Sequence, residues 1–180
     1  MSVNWMIDSG AFAASAKGVP FDKVIRIDEY LDYLKSYGHE YKVRAAPDDI
    51  PVPSGRLNPG LDAEEAAARS WKNYQRALKQ GLDVIPVIHF GEDLKWLDKV
   101  LDSGAEYIGL GGLAGLGPRG RDFPWLEQAW SRIVDRDGWP VVKVHGFGVA
   151  NWQLIKAFPW YSIDNTVWWQ TTAFKGVIIV

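Results

Sequence analysis

Residues 83–112, DVIPVIHFGEDLKWLDKVLDSGAEYIGLGG, decide the fold. DVIPVIHF is an almost unbroken apolar run, the pattern of a strand buried on both faces. A helix is expected around 92–102, Gly104 stops it, and EYIGLGG starts the next strand. Strand, helix, glycine and strand in that order form a parallel crossover unit. The same grammar extends both ways. Upstream, VNWMID is a strand, and a helix runs from near Asp28 to Gly38, with Ile27 and Leu31 placed as a hydrophobic staple. YKVRAAP is the next strand, followed by the proline-rich loop DDIPVPSGRLNPG. The longest helix is expected from Asp62 to Gln80: Asp62 and Glu65 fit a capping pair, and Ala67, Trp71, Tyr74 and Leu78 fall on one face. Downstream come a helix at 124–135, the strand VVKVHGFG, a short helix at 151–157 and the strand within WYSID.

The 180 residues suit one domain spanning 1–180. Eightfold barrels typically need about 250 residues and sometimes about 200. The expectation is therefore an α/β chain with mainly parallel strands, folded as a compact or incomplete TIM-type (β/α) barrel, or one completed by a partner. The closing GVIIV reads as a docked terminal strand or as a truncated reading frame.

Twenty basic against twenty-two acidic residues leave a formal charge of −2, which gives no overall attraction for a polyanion. Nucleic-acid contact would have to be local, and the PRGRD segment with Arg119 and Arg121 is the candidate; a solvated loop is the plain alternative. The chain has no cysteine, which excludes disulfides and every cysteine-ligated metal site. No charged leader and no apolar stretch of about 20 residues is present, so a soluble cytoplasmic protein is expected. Ten tryptophans suit helix–sheet packing, with base stacking as the functional alternative.

In parallel (β/α) folds, chemistry sits at the C-terminal ends of the strands. Those ends carry Asp8 with Ser9 and Gly10, then Asp48 and Asp49, then His89, then Gly111 and Gly112, then His145 and Gly146, and last Asp164. Each aspartate alone suits a turn. Together they suit a division of labour in which one attacks an anomeric carbon and the other handles protons. GLGGLAGLG has the glycine density for close backbone approach to a carbonyl or phosphate, but matches a dinucleotide fingerprint poorly and also fits a tight strand-to-helix turn. His89, His145 and an aspartate would suffice for a metal, yet no HxH or HExxH spacing exists, so no metal and no cofactor is expected. Core histidines and ring recognition are the other readings; His39 reads as solvated.

In order, DSGAF, IPVIHFGED, YIGLGGLAG, KVHGFG and PWYSIDNT resemble the tRNA-guanine transglycosylase superfamily, and most closely its compact DNA-modifying branch of phages and bacterial genomic islands. The resemblance covers nearly the whole chain. It implies exchange of guanine in DNA for a 7-deazaguanine through a covalent aspartyl-glycosyl intermediate. It makes Asp164 the nucleophile, Asp8 the aspartate that orients bases and moves protons, and Phe12 the stacking aromatic. Asp48, with Asp49 as neighbour and alternative, falls where the base is read; His89 stands where the tRNA enzymes have glutamine. Gly111 and Gly112 match the backbone that touches the base, and His145 the residue covering its other face. Arg119, Arg121 and Lys143 would supply a local basic strip for DNA. The chain departs from the tRNA enzymes in lacking cysteines for their zinc site, in starting at the DSG strand and in ending soon after the nucleophile. Those differences favour DNA over tRNA. The competing expectations are tRNA exchange, a (β/α) hydrolase such as an N-glycosidase or a metal-dependent enzyme, and a catalytically silent nucleic-acid-binding subunit, with a homodimer or partner subunit as an open option.

Overall fold

The structure is a computed structural model that describes residues 5–12, 21–51, 62–113 and 123–164. Strands β1 (Met6–Ile7), β2 (Val43–Arg44), β3 (Val87–His89), β4 (Tyr107–Gly111), β5 (Lys143–Gly146) and β6 (Ser162–Ile163) alternate with helices. The helices are α1 (Ile27–Tyr37), α2 (Ala63–Lys79), α3 (Lys95–Asp102), α4 (Phe123–Ile133) and α5 (Trp152–Ala157). β1 pairs with β2, and β3 to β6 form a sheet in sequence order, every pairing parallel. A parallel bridge from Ala45 to Ile85 links the end of β2 to the approach of β3. The strands thus lie side by side in the order in which the chain makes them, as right-handed helical crossovers favour.

Side-chain parity sorts the two faces. Ile88, Ile108, Leu110 and Val144 point to the layer of helices, packing with Leu97 and Val100 of α3, Leu126 and Ile133 of α4, and Leu154 of α5. Each such side chain removed from water is worth roughly 1.5–3 kcal/mol. Leu31 and Leu34 of α1 pack with Tyr74 and Ala77 of α2 in a second cluster. The opposite face holds a smaller cluster of Ala45, Ile85 and Val87, flanked by Met6, Val43, Tyr107 and Phe147, with no helical residue in it. Among the described residues the helices therefore bury their apolar sides on one face of the strands.

Local signals behave as their physics requires, with two corrections. Asp62 caps α2 by accepting from the Glu65 N–H at 2.8 Å, and Asn151 caps α5 by accepting from the Gln153 N–H at 2.8 Å. Asp28, however, is not the cap of α1: Arg26 holds the N-cap position without a side-chain bond, Ile27 is the first helical residue, and Asp28 pairs with Arg76 of α2. The staple is replaced by Ile27 packing directly on the α1–α2 cluster. On α2, Leu78 is 43 % exposed and Ala77 is buried in its stead. After Tyr74, the i+3 position continues the buried stripe and the i+4 position swings past it.

Candidate active site

Three buried polar side chains from separate strand ends meet in one hydrogen-bonded chain. Ser9, just beyond β1, donates from Oγ to Asp48 Oδ1 at 2.5 Å, and its Oγ also accepts from the Ala11 N–H at 3.2 Å. The other Asp48 oxygen, Oδ2, lies 2.7 Å from His89 Nε2 at the end of β3. All three residues are under 5 % exposed. Burial alone would push the His89 imidazole down, but the bond to Asp48 and the nearby Glu92 and Asp8 charges raise it above its ordinary value. The pair is a histidine holding its proton against a carboxylate. Asp49, the alternative to Asp48, turns the other way, accepting from Arg69 Nε at 2.9 Å beneath α2. Arg69 in turn binds Asp22. Of the two adjacent aspartates, Asp48 is the one that joins the strand-end cluster.

The second half of the site lies on β5 and β6. Asp164 accepts the Gly148 N–H on Oδ1 at 2.7 Å, and the same oxygen lies 3.8 Å from His145 Nε2. His145 is buried, with Nδ1 2.6 Å from Ser162 Oγ and its ring edge-on to Phe147 at 4.4 Å. It presents Nε2 toward Asp164. Burial lowers its pKa, with the Asp164 charge pulling the other way.

Asp8 ties the halves together. Its residue surface is open to solvent, yet its carboxyl is pushed above the ordinary carboxylate range, chiefly by partial burial and then by repulsion from Asp48; Asp164 pushes the same way, and backbone groups of Ser9 and Gly10 pull it back. Carboxylates from the first strand, the last strand and the loop after β2 thus share one electrostatic neighbourhood. A carboxyl raised in this way holds its proton to a higher pH than an ordinary aspartate and so can both give and take one.

The remaining expected residues fall as follows. Phe12, three residues beyond Ser9, is 69 % exposed. Gly111 is buried, and a Cβ there would come within 2.5 Å of His89 Nδ1; a Cβ on Gly109 would come within 2.6 Å of the Phe147 ring. These glycines make room for neighbouring rings. Gly112 has a φ of +71° and turns the chain out of β4. Lys143 opens β5 at the end of the sheet opposite these carboxylates, with Nζ over the Tyr161 ring. Arg119 and Arg121 lie outside the described residues.

Glu92 carries no mark of burial in the sequence. It sits in the turn after β3, 2 % exposed, with neither carboxyl oxygen hydrogen-bonded, and burial pushes it up to about 7. In the sequence it reads as the first residue of the helix expected around 92–102, whereas the helix starts at Lys95 and leaves Glu92 in the turn. Ser162 was legible in principle, because it lies two residues before Asp164 and so faces the same way along an extended strand. Among the described residues no group of three or more His, Asp or Glu is arranged to hold a metal ion, and no helix is long and apolar enough to cross a membrane.

Comparison with known protein families, characterised proteins and solved structures finds no match to this chain.

Proposed function

We propose that the chain is a base-exchange glycosyltransferase of the guanine-transglycosylase type, acting on DNA and inserting a 7-deazaguanine. The observation that carries this reading is the meeting of polar groups from separate strand ends: Ser9, next to Asp8, bonds Asp48, Asp48 bonds His89, and Asp164 lies 3.8 Å from His145. Six strands side by side in chain order, with helices against one face, are compatible with a (β/α) barrel layout in which those strand ends surround one pocket.

In this reading Asp164 attacks C1′ of a guanine nucleotide through an oxocarbenium-like transition state. The C1′–N9 bond breaks, its electron pair leaves with the base, and the base takes a proton. Asp8, whose pKa is raised, is placed to deliver that proton and to accept one from the incoming 7-deazaguanine. The second base then attacks C1′, releasing Asp164 with net retention. Asp48 reads the donor edge of the ring: each of its oxygens accepts one protein bond and keeps a lone pair for a ligand N–H. Phe12 offers a stacking face. A base inside a duplex cannot present C1′ to a carboxylate beneath it, so the nucleotide is flipped or single-stranded, at a cost of a few kcal/mol. With a net charge of −2, DNA affinity depends on a local basic strip and falls with salt.

Denaturing electrophoresis after incubation with guanine-containing DNA and a 7-deazaguanine tests the proposal. A covalent protein–DNA adduct with wild type, absent with Asp164→Asn, is the expected result. An adduct with tRNA alone would move the substrate to RNA. None with either polymer would overturn the enzymatic reading in favour of a silent binding subunit.

A further inference from the structure

Tyr107, Ser162 and His145 begin or line three adjacent strands and form one chain: Tyr107 Oη is 2.6 Å from Ser162 Oγ, which is 2.6 Å from His145 Nδ1. The other imidazole nitrogen, Nε2, is buried without a hydrogen-bond partner and lies 3.8 Å from Asp164 Oδ1. The protons along this chain can be placed in three ways. Tyr107 donates to Ser162 and Ser162 to Nδ1, leaving the imidazole proton on Nε2; or every bond runs backwards and the proton sits on Nδ1; or Ser162 Oγ accepts from both neighbours, with the proton again on Nδ1 and the serine hydrogen turned out of the chain. Burial raises the Tyr107 pKa, so the phenol keeps its proton and needs an acceptor, and Ser162 Oγ supplies one. Burial also keeps His145 neutral, leaving one ring N–H to place. The first direction lets each hydroxyl donate along the chain and turns Nε2–H toward a carboxylate, whereas the second sends the Tyr107 hydrogen, and the third the Ser162 hydrogen, out of the chain.

We propose that His145 is a positioning residue for Asp164, fixed by the Tyr107–Ser162 chain as the Nε2–H tautomer and steering the aspartate carboxylate through that N–H. The 3.8 Å gap is too long for a direct hydrogen bond, but Asp164 is the exposed partner and a modest rotation of its side chain, or one bridging water, closes it. The steering acts on the nucleophile only if the glycosyl-transfer reading holds; the tautomer and its coupling to Asp164 do not depend on that reading.

The chain has three histidines, so the two ring nitrogens of His145 can be followed in the full-length protein by long-range proton–nitrogen NMR, assigned by loss of its signals in His145→Gln. Wild type is expected to show the Nε2–H tautomer at neutral pH. Tyr107→Phe, which keeps the ring against Tyr161, should shift His145 toward the Nδ1–H form. Asp164→Asn should lower the pH at which His145 takes up a proton. An Nδ1–H tautomer in wild type, or a His145 titration indifferent to Asp164→Asn, overturns the proposal. Where wild type forms the DNA adduct, Tyr107→Phe should slow adduct formation at saturating DNA on the order of tenfold to a hundredfold, with half-saturation unchanged. An unaltered rate, or a change in half-saturation alone, also overturns it. No adduct together with the expected NMR behaviour removes the functional reading and leaves the His145–Asp164 coupling standing.

Discussion

Replacing Glu92 by Gln should stabilise the protein at alkaline pH and leave it nearly unchanged at acidic pH. Glu92 is 2 % exposed, neither carboxyl oxygen has a hydrogen-bond partner, and its pKa is pushed from 4.5 up to about 7, chiefly by burial, with His89 pulling it back and Asp48 and Glu64 adding repulsion. The unfolded chain releases this proton near 4.5, whereas the folded protein keeps it until about 7. Between those values the unfolded state holds fewer protons, so stability falls as pH rises through the window and levels off above it. At about 1.4 kcal/mol per pKa unit, the gap of roughly two and a half units costs wild type about 3 kcal/mol at pH 8 relative to pH 4. Glutamine has nearly the same shape and no charge to lose. That figure is an upper limit for the gain, because the variant also withdraws a negative neighbour from His89. Urea unfolding of both proteins at pH 5 and pH 8 measures it: the two should agree within about 1 kcal/mol at pH 5 and separate by about 2–3 kcal/mol at pH 8, with the variant more stable. Equal stability at both pH values, or a wild-type advantage at pH 8, would refute the assignment of Glu92 as a buried acid without a stabilising partner.

Ser9→Ala removes the donor on Asp48 Oδ1 and should cost about 1–3 kcal/mol by chemical denaturation, with a loss below 0.5 kcal/mol counting against the bond. Gly111→Ala drives a methyl group into the His89 ring; a cost of about 1–3 kcal/mol and a displaced His89 NMR signal are expected, and an unperturbed signal would contradict the packing. Phe12→Ala should leave stability within about 0.5 kcal/mol, since the ring is exposed, while weakening base or DNA binding by about 1–3 kcal/mol; unchanged binding would take Phe12 out of the pocket.

The order of strands and helices was legible because each element carries its own period and its own stop. The run at 83–112 contains a buried strand, an amphipathic helix, a glycine and a second strand, and the structure places β3, α3 and β4 there. What period could not supply was side-chain direction outside regular structure. Asp48 and Asp49 are adjacent in an extended segment after β2, so a sequence offers no reason to prefer either; the choice is made by Ser9 and His89 on one side and Arg69 on the other, partners 20 to 41 residues distant. The glycines carry a requirement that their density in GLGG does not show: Gly109 and Gly111 are small because Phe147 and His89 occupy the space beside them. The same tertiary override moved Leu78 out of the α2 stripe and Ala77 into it.

The placement of the polar groups argues for a working site more strongly than any one of them. Burying a carboxylate, two imidazoles and a second carboxyl costs free energy that an apolar core of the same volume would not incur. Among the described residues much of that cost falls at the strand ends, where Ser9, Asp48, His89, Glu92 and His145 are buried, with Asp49, Ser70 and Asn73 the other buried polar residues; the same strands bury Ile88, Ile108, Leu110 and Val144 on the helix-covered face. Several polar atoms even lack partners, namely His89 Nδ1, both Glu92 oxygens and His145 Nε2. A sheet built only for stability would have filled these positions with valine or isoleucine, as it does one residue away at Ile88 and Val144. Under the proposed function these groups are capacity maintained against stability, and the gain from Glu92→Gln is the most direct indication of how much stability their burial gives up.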